Sequence, residues 1–296
     1  MPLEYRVTED KIKRVIIDTD AACEADDPFA IAHALMCKKL AVVGITAEHF
    51  AQENSVQKSY DEIMRVLEAM ELDVPVYMGC ETRLKELKND ALSPAAEFII
   101  NEAVGNDSRP LFILCIGAIT NVAQAIKARP EITKRMTVVW IGGQDPEHSV
   151  HGFPEFNCGN DVEAANIVIS SGVDFWLIPN TVYGTMHISL AEIQRRIAPC
   201  GKIGKHLFEQ MTAFNESERA FWTAGESWSL GDSPAVGVVL EPNCGGHYDR
   251  PAPVFEADTA CHDEDGRPAI RVYTSINSRF ILEDFIAKLE LIYSGK

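Results

Sequence analysis

Six short apolar runs alternate with amphipathic stretches through the first 180 residues, and that alternation leaves few folds open. The runs cover 15–18, 40–46, 74–78, 111–116, 137–142 and 174–179, and helical periodicity follows at 28–37, 55–71, 94–103, 120–128 and 161–171. Strand, helix, strand, helix is the pattern of a parallel sheet covered by helices. From 188 to 239 the pattern turns mostly helical, and short strands at 254–257 and 270–274 precede a last helix at 279–293. The expected fold is α/β: a mostly parallel, twisted, Rossmann-type open sheet flanked by helices, with a helical C-terminal part. No repeat, low-complexity linker or break in composition divides the chain, so residues 1–296 read as one domain, large for a single core.

Composition narrows the partners. The chain carries 27 basic and 44 acidic residues, a net charge of −17, which argues against nucleic acid or an anionic membrane as its partner. Residues 1–6 lack the apolar centre of a signal peptide and no apolar run approaches membrane length, so a cytoplasmic address is expected. Eight cysteines are scattered without a CxxC pair, which fits reduced, mostly buried thiols.

The first strand runs directly into Asp18-Thr19-Asp20-Ala21-Ala22-Cys23-Glu24-Ala25-Asp26-Asp27. Four aspartates and a glutamate this close repel one another unless a cation neutralises them, and no Lys or Arg lies between Arg14 and Lys38. The loop reads as a hard-metal site. Its place is also suggestive, because open α/β sheets bind ligands beyond the carboxyl ends of their strands. Other strand ends are polar too, at 46–54, 117–121, 142–145 and 180–183, and 153–161 sets amide and carboxylate groups between aromatic rings.

Five pieces in order carry a family resemblance: Asp18-Thr19-Asp20 with Asp26-Asp27, Gly117-Ala118-Ile119-Thr120-Asn121-Val122-Ala123, Ile141-Gly142-Gly143, Glu155-Phe156-Asn157 with Asp161-Val162-Glu163-Ala164-Ala165, and Asp232-Ser233-Pro234-Ala235-Val236. With these the chain resembles the inosine-uridine-preferring nucleoside hydrolases, calcium-dependent enzymes that cleave the N-glycosidic bond of ribonucleosides. The resemblance implies release of free base and ribose, a role in purine and pyrimidine salvage, and a homodimer or homotetramer. It further implies that Asp20, Asp27, Asp232 and the carbonyl of Ile116 hold Ca2+, a set of oxygen donors that suits calcium chemically. Asp26 and Asn157 would then grip the ribose hydroxyls, with Glu155 at the far side of the sugar, and Asp18 would brace the loop. Water would attack the anomeric carbon, Asp20 would remove its proton, and nearby carboxylates would stabilise an oxocarbenium-like transition state.

The chain departs from the family pattern in three places. The stretch between Asp20 and Asp26 is two residues longer than usual, with Ala21-Ala22-Cys23-Glu24-Ala25 in place of a Pro-Gly turn, and Glu24 either joins the site or faces solvent. Gly231 stands where purine-cleaving members of the best-known branch carry a histidine ahead of the last metal aspartate. His49, Glu226 and Trp228 are stand-ins by sequence proximity alone. The family asparagine after the second strand is displaced: His49, Glu53 and Asn54 compete for its place, and Asn54 keeps its chemistry. These departures place the chain in an outlying branch.

Several residues also carry plain structural readings. Asn121 is a helix-start hydrogen bonder, and His148 and His151 fall in a loop. Trp222 and Trp228, in an expected helical segment, suit either core packing or stacking on a nucleobase, the latter making Trp228 a substrate-binding candidate. Two other functions compete. Asp18-Thr19-Asp20 after a strand resembles the opening of haloacid-dehalogenase-type phosphatases, although no lysine marks a later strand end. A non-catalytic calcium- or ribosyl-binding protein is the third reading.

Overall fold

The computed structural model describes residues 3–87 and 91–295; Met1 and Pro2 of the N-terminal stretch lie outside the described residues. The strands are β1 (Lys13–Thr19), β2 (Leu40–Ala47), β3 (Val76–Met78), β4 (Leu111–Cys115), β5 (Met136–Ile141), β6 (Asp174–Ile178), β7 (His187–Ser189), β8 (Ser227–Ser229), β9 (His247–Pro251), β10 (Val254–Phe255), β11 (Cys261–His262) and β12 (Ala269–Tyr273). Eight form one sheet in the order β3-β2-β1-β4-β5-β6-β12-β9. All its pairings are parallel except that of β12 with β9 at the edge.

The period of two along β1 sorts its side chains between two layers. Val15 and Ile17 join a core with residues of the helices Asp27–Met36, Ser55–Met70 and Ser278–Tyr293. Ile16 points the other way, into a core with the helices Pro94–Val104, Thr120–Ala128 and Val162–Ser170. The sheet is therefore apolar on both faces, as a helix-covered parallel sheet must be. Seven of the eight thiols are buried, and Cys261 is half-buried.

The strand order reverses at β1. From β1 the chain goes outward through β2 and β3, then returns to β4 on the opposite side and continues through β5 and β6. Helices after adjacent strands thus leave on opposite faces, opening a crevice at the carboxyl ends of β1 and β4. The acidic loop leaves β1 at that point.

The expected helical stretch from 188 to 239 is corrected in part. β7 and β8 pair antiparallel there, Ile188 opposite Trp228, so Trp228 lies on a strand and Trp222 in a turn. Strands of three residues are too short to show an alternation of their own. The same reason hid β11, and β9 alternates only weakly because it is a half-exposed edge.

Candidate functional site

Two helices begin at the acidic cluster. Asp26 precedes the helix Asp27–Met36, Asp232 precedes the helix Ser233–Leu240, and each helix has a proline in its first turn, where no backbone N–H is needed. Their positive ends face the same carboxylates and partly offset the crowding. Carboxylate oxygens of Asp26, Asp27 and Asp232 all lie within 4.8 Å of one another. The resemblance assigns Asp20 rather than Asp26 to the metal, and Asp20 stands immediately beside this trio.

Burial is the main reason these acids resist ionisation. It pushes Asp27 up to about 8, with Asp26 beside it adding repulsion, and Asp26 up to about 6. Asp20 and Asp232 are raised well above the ordinary carboxyl range by burial, then by Asp27 and by Asp26 respectively. The Thr19 hydroxyl donates to Asp27 Oδ1 at 2.5 Å and fixes that side chain. Asp20 Oδ2 is buried without a hydrogen-bond partner. A Cβ at Gly117 would come within 2.8 Å of Asp20 Oδ1, so glycine is what lets the turn after β4 approach the aspartate.

A cavity of about 540 Å3 opens over this cluster. Asp20, Glu24, Asp26, Asp27, Ile116, Glu155, Asn157 and Asp232 all line it, so the structure brings together nearly every candidate on the polar side. Glu24 faces the cavity, where burial together with Asp26 and Asp27 pushes its carboxyl to about 8. Glu155 is held from several sides: its carboxylate accepts from the backbone of Gly143 (2.6 Å), Cys158 (2.8 Å) and Asn157 (3.1 Å) and from the Tyr183 hydroxyl (2.7 Å). Asn157 Nδ2 donates to the Ile141 carbonyl at 2.9 Å, which orients the amide.

Two candidates fall outside. Asn54 sits in a left-handed conformation just before the helix Ser55–Met70 and lines a different cavity; Gln52 reaches this one instead. Trp228 is buried among Phe214 and Trp222, edge-on to both, and it is Trp222 that lines the cavity. A single inward position on a three-residue strand decides that difference.

The stand-ins for a leaving-group acid also lie elsewhere. Glu226 is exposed. His49 Nε2 is 2.8 Å from Thr120 Oγ1, whose hydroxyl lies 3.0 Å from Asp161 Oδ2, and burial holds the imidazole down to about 4, hence uncharged near neutrality.

Asp18 holds the end of β1, where the loop begins. It is fully buried, and its Oδ1 accepts from Thr46 Oγ1 at 2.6 Å and from Asn121 Nδ2 at 2.9 Å. Asn121 also takes the Cys80 N–H and gives its own N–H to buried Glu48, so it ties three strand ends together. His148 and His151 are exposed, beside Asp145 and Asp258. Phe156, Tyr183, Phe214, Arg219, Phe221 and Trp222 line the opposite rim; Trp222 is the stacking candidate that reaches the cavity, and residue patterning missed Phe214, Arg219 and Phe221. Tyr183 had a signal, since it lies just past β6; Arg219, in the single 3-10 turn of helix Glu218–Ala220, had none.

Comparison with known proteins bears on the fold and the family. A non-specific ribonucleoside hydrolase, RihC, of Salmonella enteritidis is 29% identical over 182 residues, 54% of this chain and 58% of the relative, so the match spans under two thirds of that protein. An uncharacterized protein of Schizosaccharomyces pombe is 26% identical over 64% of this chain and 68% of its own. Among solved structures, a purine-preferring ribonucleoside hydrolase from Gardnerella vaginalis superposes with a TM-score of 0.80 at 20% identity, covering 95% of this chain and 99% of that one. A plant nucleoside hydrolase gives 0.77 at 19% identity over 96% and 99%. At such identity these two likenesses speak to the fold. The model of the inosine-uridine preferring nucleoside hydrolases matches residues 15–282, from the first strand to the last helix, and the chain belongs to that family.

Proposed function

We propose that this chain hydrolyses the N-glycosidic bond of ribonucleosides at a calcium site formed by Asp20, Asp27, Asp232 and the Ile116 carbonyl. The observation that carries the reading is the crowding of buried acids at the reversal point of the sheet, with Asp20 Oδ2 left without a donor beneath an open cavity. Buried charges of one sign persist when something of the other sign is bound, and an all-oxygen donor set suits a hard divalent cation. Held by Asp20, Asp27, Asp232 and the Ile116 carbonyl, calcium would offset the repulsion among these carboxylates and would supply a hard cation for further oxygen ligands.

The remaining steps belong to the side chains. Asp20 accepts a proton from the attacking water, a role that suits a carboxylate touching the cavity. Asp26 and Asn157 hold the ribose hydroxyls. Glu155, fixed by four hydrogen bonds, presents a stationary negative charge toward the sugar as positive charge grows there. The same reading places a homodimer or homotetramer in cytoplasmic nucleoside salvage.

The phosphatase reading loses support, because Asp18, the nucleophile it requires, is sealed beneath Thr46 and Asn121, and no lysine lines the cavity among the described residues. The test is a panel of nucleosides and nucleoside monophosphates, with and without chelator, scored for free base, reducing sugar and phosphate. Base and sugar released together, and lost on chelation, is the expected result. Phosphate release alone, or calcium binding with no product, would overturn it.

A further inference from the structure

The family resemblance leaves the departing base without an acid at position 231, and the structure crowds that position. A Cβ at Gly231 would stand 3.1 Å from the Tyr183 ring. Tyr183 itself is committed, its hydroxyl donating to Glu155. Six carboxylates line the cavity (Asp20, Glu24, Asp26, Asp27, Glu155 and Asp232), and Arg219 is the single cation among its described lining residues.

Arg219 is held in place from both sides. Its Nη2 donates to the carbonyl of Cys23, and its guanidinium lies 4.8 Å from the centre of the Phe214 ring. Cys23 and Glu24 belong to the stretch that is two residues longer than the family loop. That stretch is anchored again by Gln210 of the helix Gly201–Asn215, whose Nε2 donates to the Ala25 carbonyl at 2.7 Å. The lengthened loop is thus a seat for Arg219, and Glu24 lies close enough to feel its charge.

We propose that Arg219 is this chain's leaving-group residue: it binds the acceptor edge of the nucleobase and stabilises the negative charge that the base takes up as it departs. The inference rests on the N-ribosyl hydrolase reading. When the C1′–N bond breaks, its electron pair goes to the base nitrogen, and the water oxygen bonds to C1′. One water proton stays on the new ribose hydroxyl; the other passes to Asp20, and the base regains a proton from solvent. Arginine keeps its own protons at any working pH, so its contribution is charge and hydrogen bonding rather than acid catalysis. Its planar fork suits a base with two neighbouring acceptors, as in the O6 and N7 pair of a 6-oxopurine.

The test compares wild type, Arg219→Gln, Arg219→Lys and Glu24→Gln on inosine and on p-nitrophenyl ribofuranoside, whose leaving group departs without help. Circular dichroism monitors folding, and calorimetry with hypoxanthine in chelator reads binding without turnover. Arg219→Gln should lower kcat on inosine by about 100-fold, the scale of one lost charge-stabilising donor, leave p-nitrophenyl ribofuranoside within about 2-fold, and weaken hypoxanthine binding. Arg219→Lys should recover part of the loss. Equal loss on both substrates, or no loss on either, would overturn the assignment. So would a loss selective for inosine in Glu24→Gln alone, which would move the role to Glu24. A wild-type chain that cleaves the nitrophenyl riboside but no nucleoside overturns the leaving-group role, whereas one that cleaves neither overturns the hydrolase reading and this role together.

Discussion

The Tyr183 hydroxyl donates to Glu155 Oε1 at 2.7 Å, linking the segment that follows β6 to the one that follows β5 in the lining of the cavity. Glu155 is buried and Tyr183 half-buried, and loss of water contact raises the titration points of both. The bond therefore costs more to break than an exposed one. Tyr183→Phe should lower stability by about 1–2 kcal/mol, measured by chemical denaturation. It should also raise KM for nucleosides, since Glu155 then keeps only its backbone donors.

Asp20→Ala should abolish base release while the protein stays folded. The side chain sits among like charges and has an oxygen without a donor, so its removal relieves repulsion. A melting temperature equal to or above that of wild type without metal, together with no detectable product, is expected. Near-normal turnover would remove Asp20 from its role.

The acid cluster sets a pH dependence with a definite sign. Asp26 and Asp27 titrate near about 6 and about 8 in the folded chain, against an ordinary carboxyl near about 4 in the unfolded one. Their contribution to stability is complete below about 4 and is lost as the pH climbs through 6 and 8. In chelator, the melting temperature should therefore fall between pH 5 and pH 8.5. Calcium competes with these protons, so it should restore stability at pH 8 and do little at pH 5. A cation effect of the same size at both values would contradict this.

The two tryptophans should separate cleanly. Trp228 is almost fully buried and packed edge-on against two rings, so Trp228→Ala should cost about 3–5 kcal/mol in a denaturant titration. Trp222 is 47% exposed at the cavity rim, so Trp222→Ala should leave stability nearly unchanged and raise KM.

Ribose discrimination follows from the sugar side. With Asp26 and Asn157 assigned to the hydroxyls, a 2′-deoxynucleoside leaves buried polar groups unpaired. Its kcat/KM should fall on the order of 10⁴-fold. Comparable turnover of the two sugars would count against both assignments.

Much of the molecule was legible before any coordinates. The strand and helix alternation fixed the layers, because each apolar run of four to seven residues can satisfy its backbone only in a sheet and each amphipathic stretch only on a sheet's face. The acidic loop announced a cation site, since local sequence alone concentrated the charge. Gly117 opens the polar end of the fourth strand, and only the fold explains it, by the Asp20 oxygen that a side chain there would meet. What tertiary structure alone decided is everything set by long-range approach. It put Trp222 rather than Trp228, and Gln52 rather than Asn54, at the cavity, because Trp228 packs inward from β8 behind Trp222 and Asn54 turns to a neighbouring cavity. It also brought Arg219 onto the carbonyl of Cys23, 196 residues away in the chain. No local pattern encodes that contact; it exists because the helices after β1 and around β8 pack over the same end of the sheet.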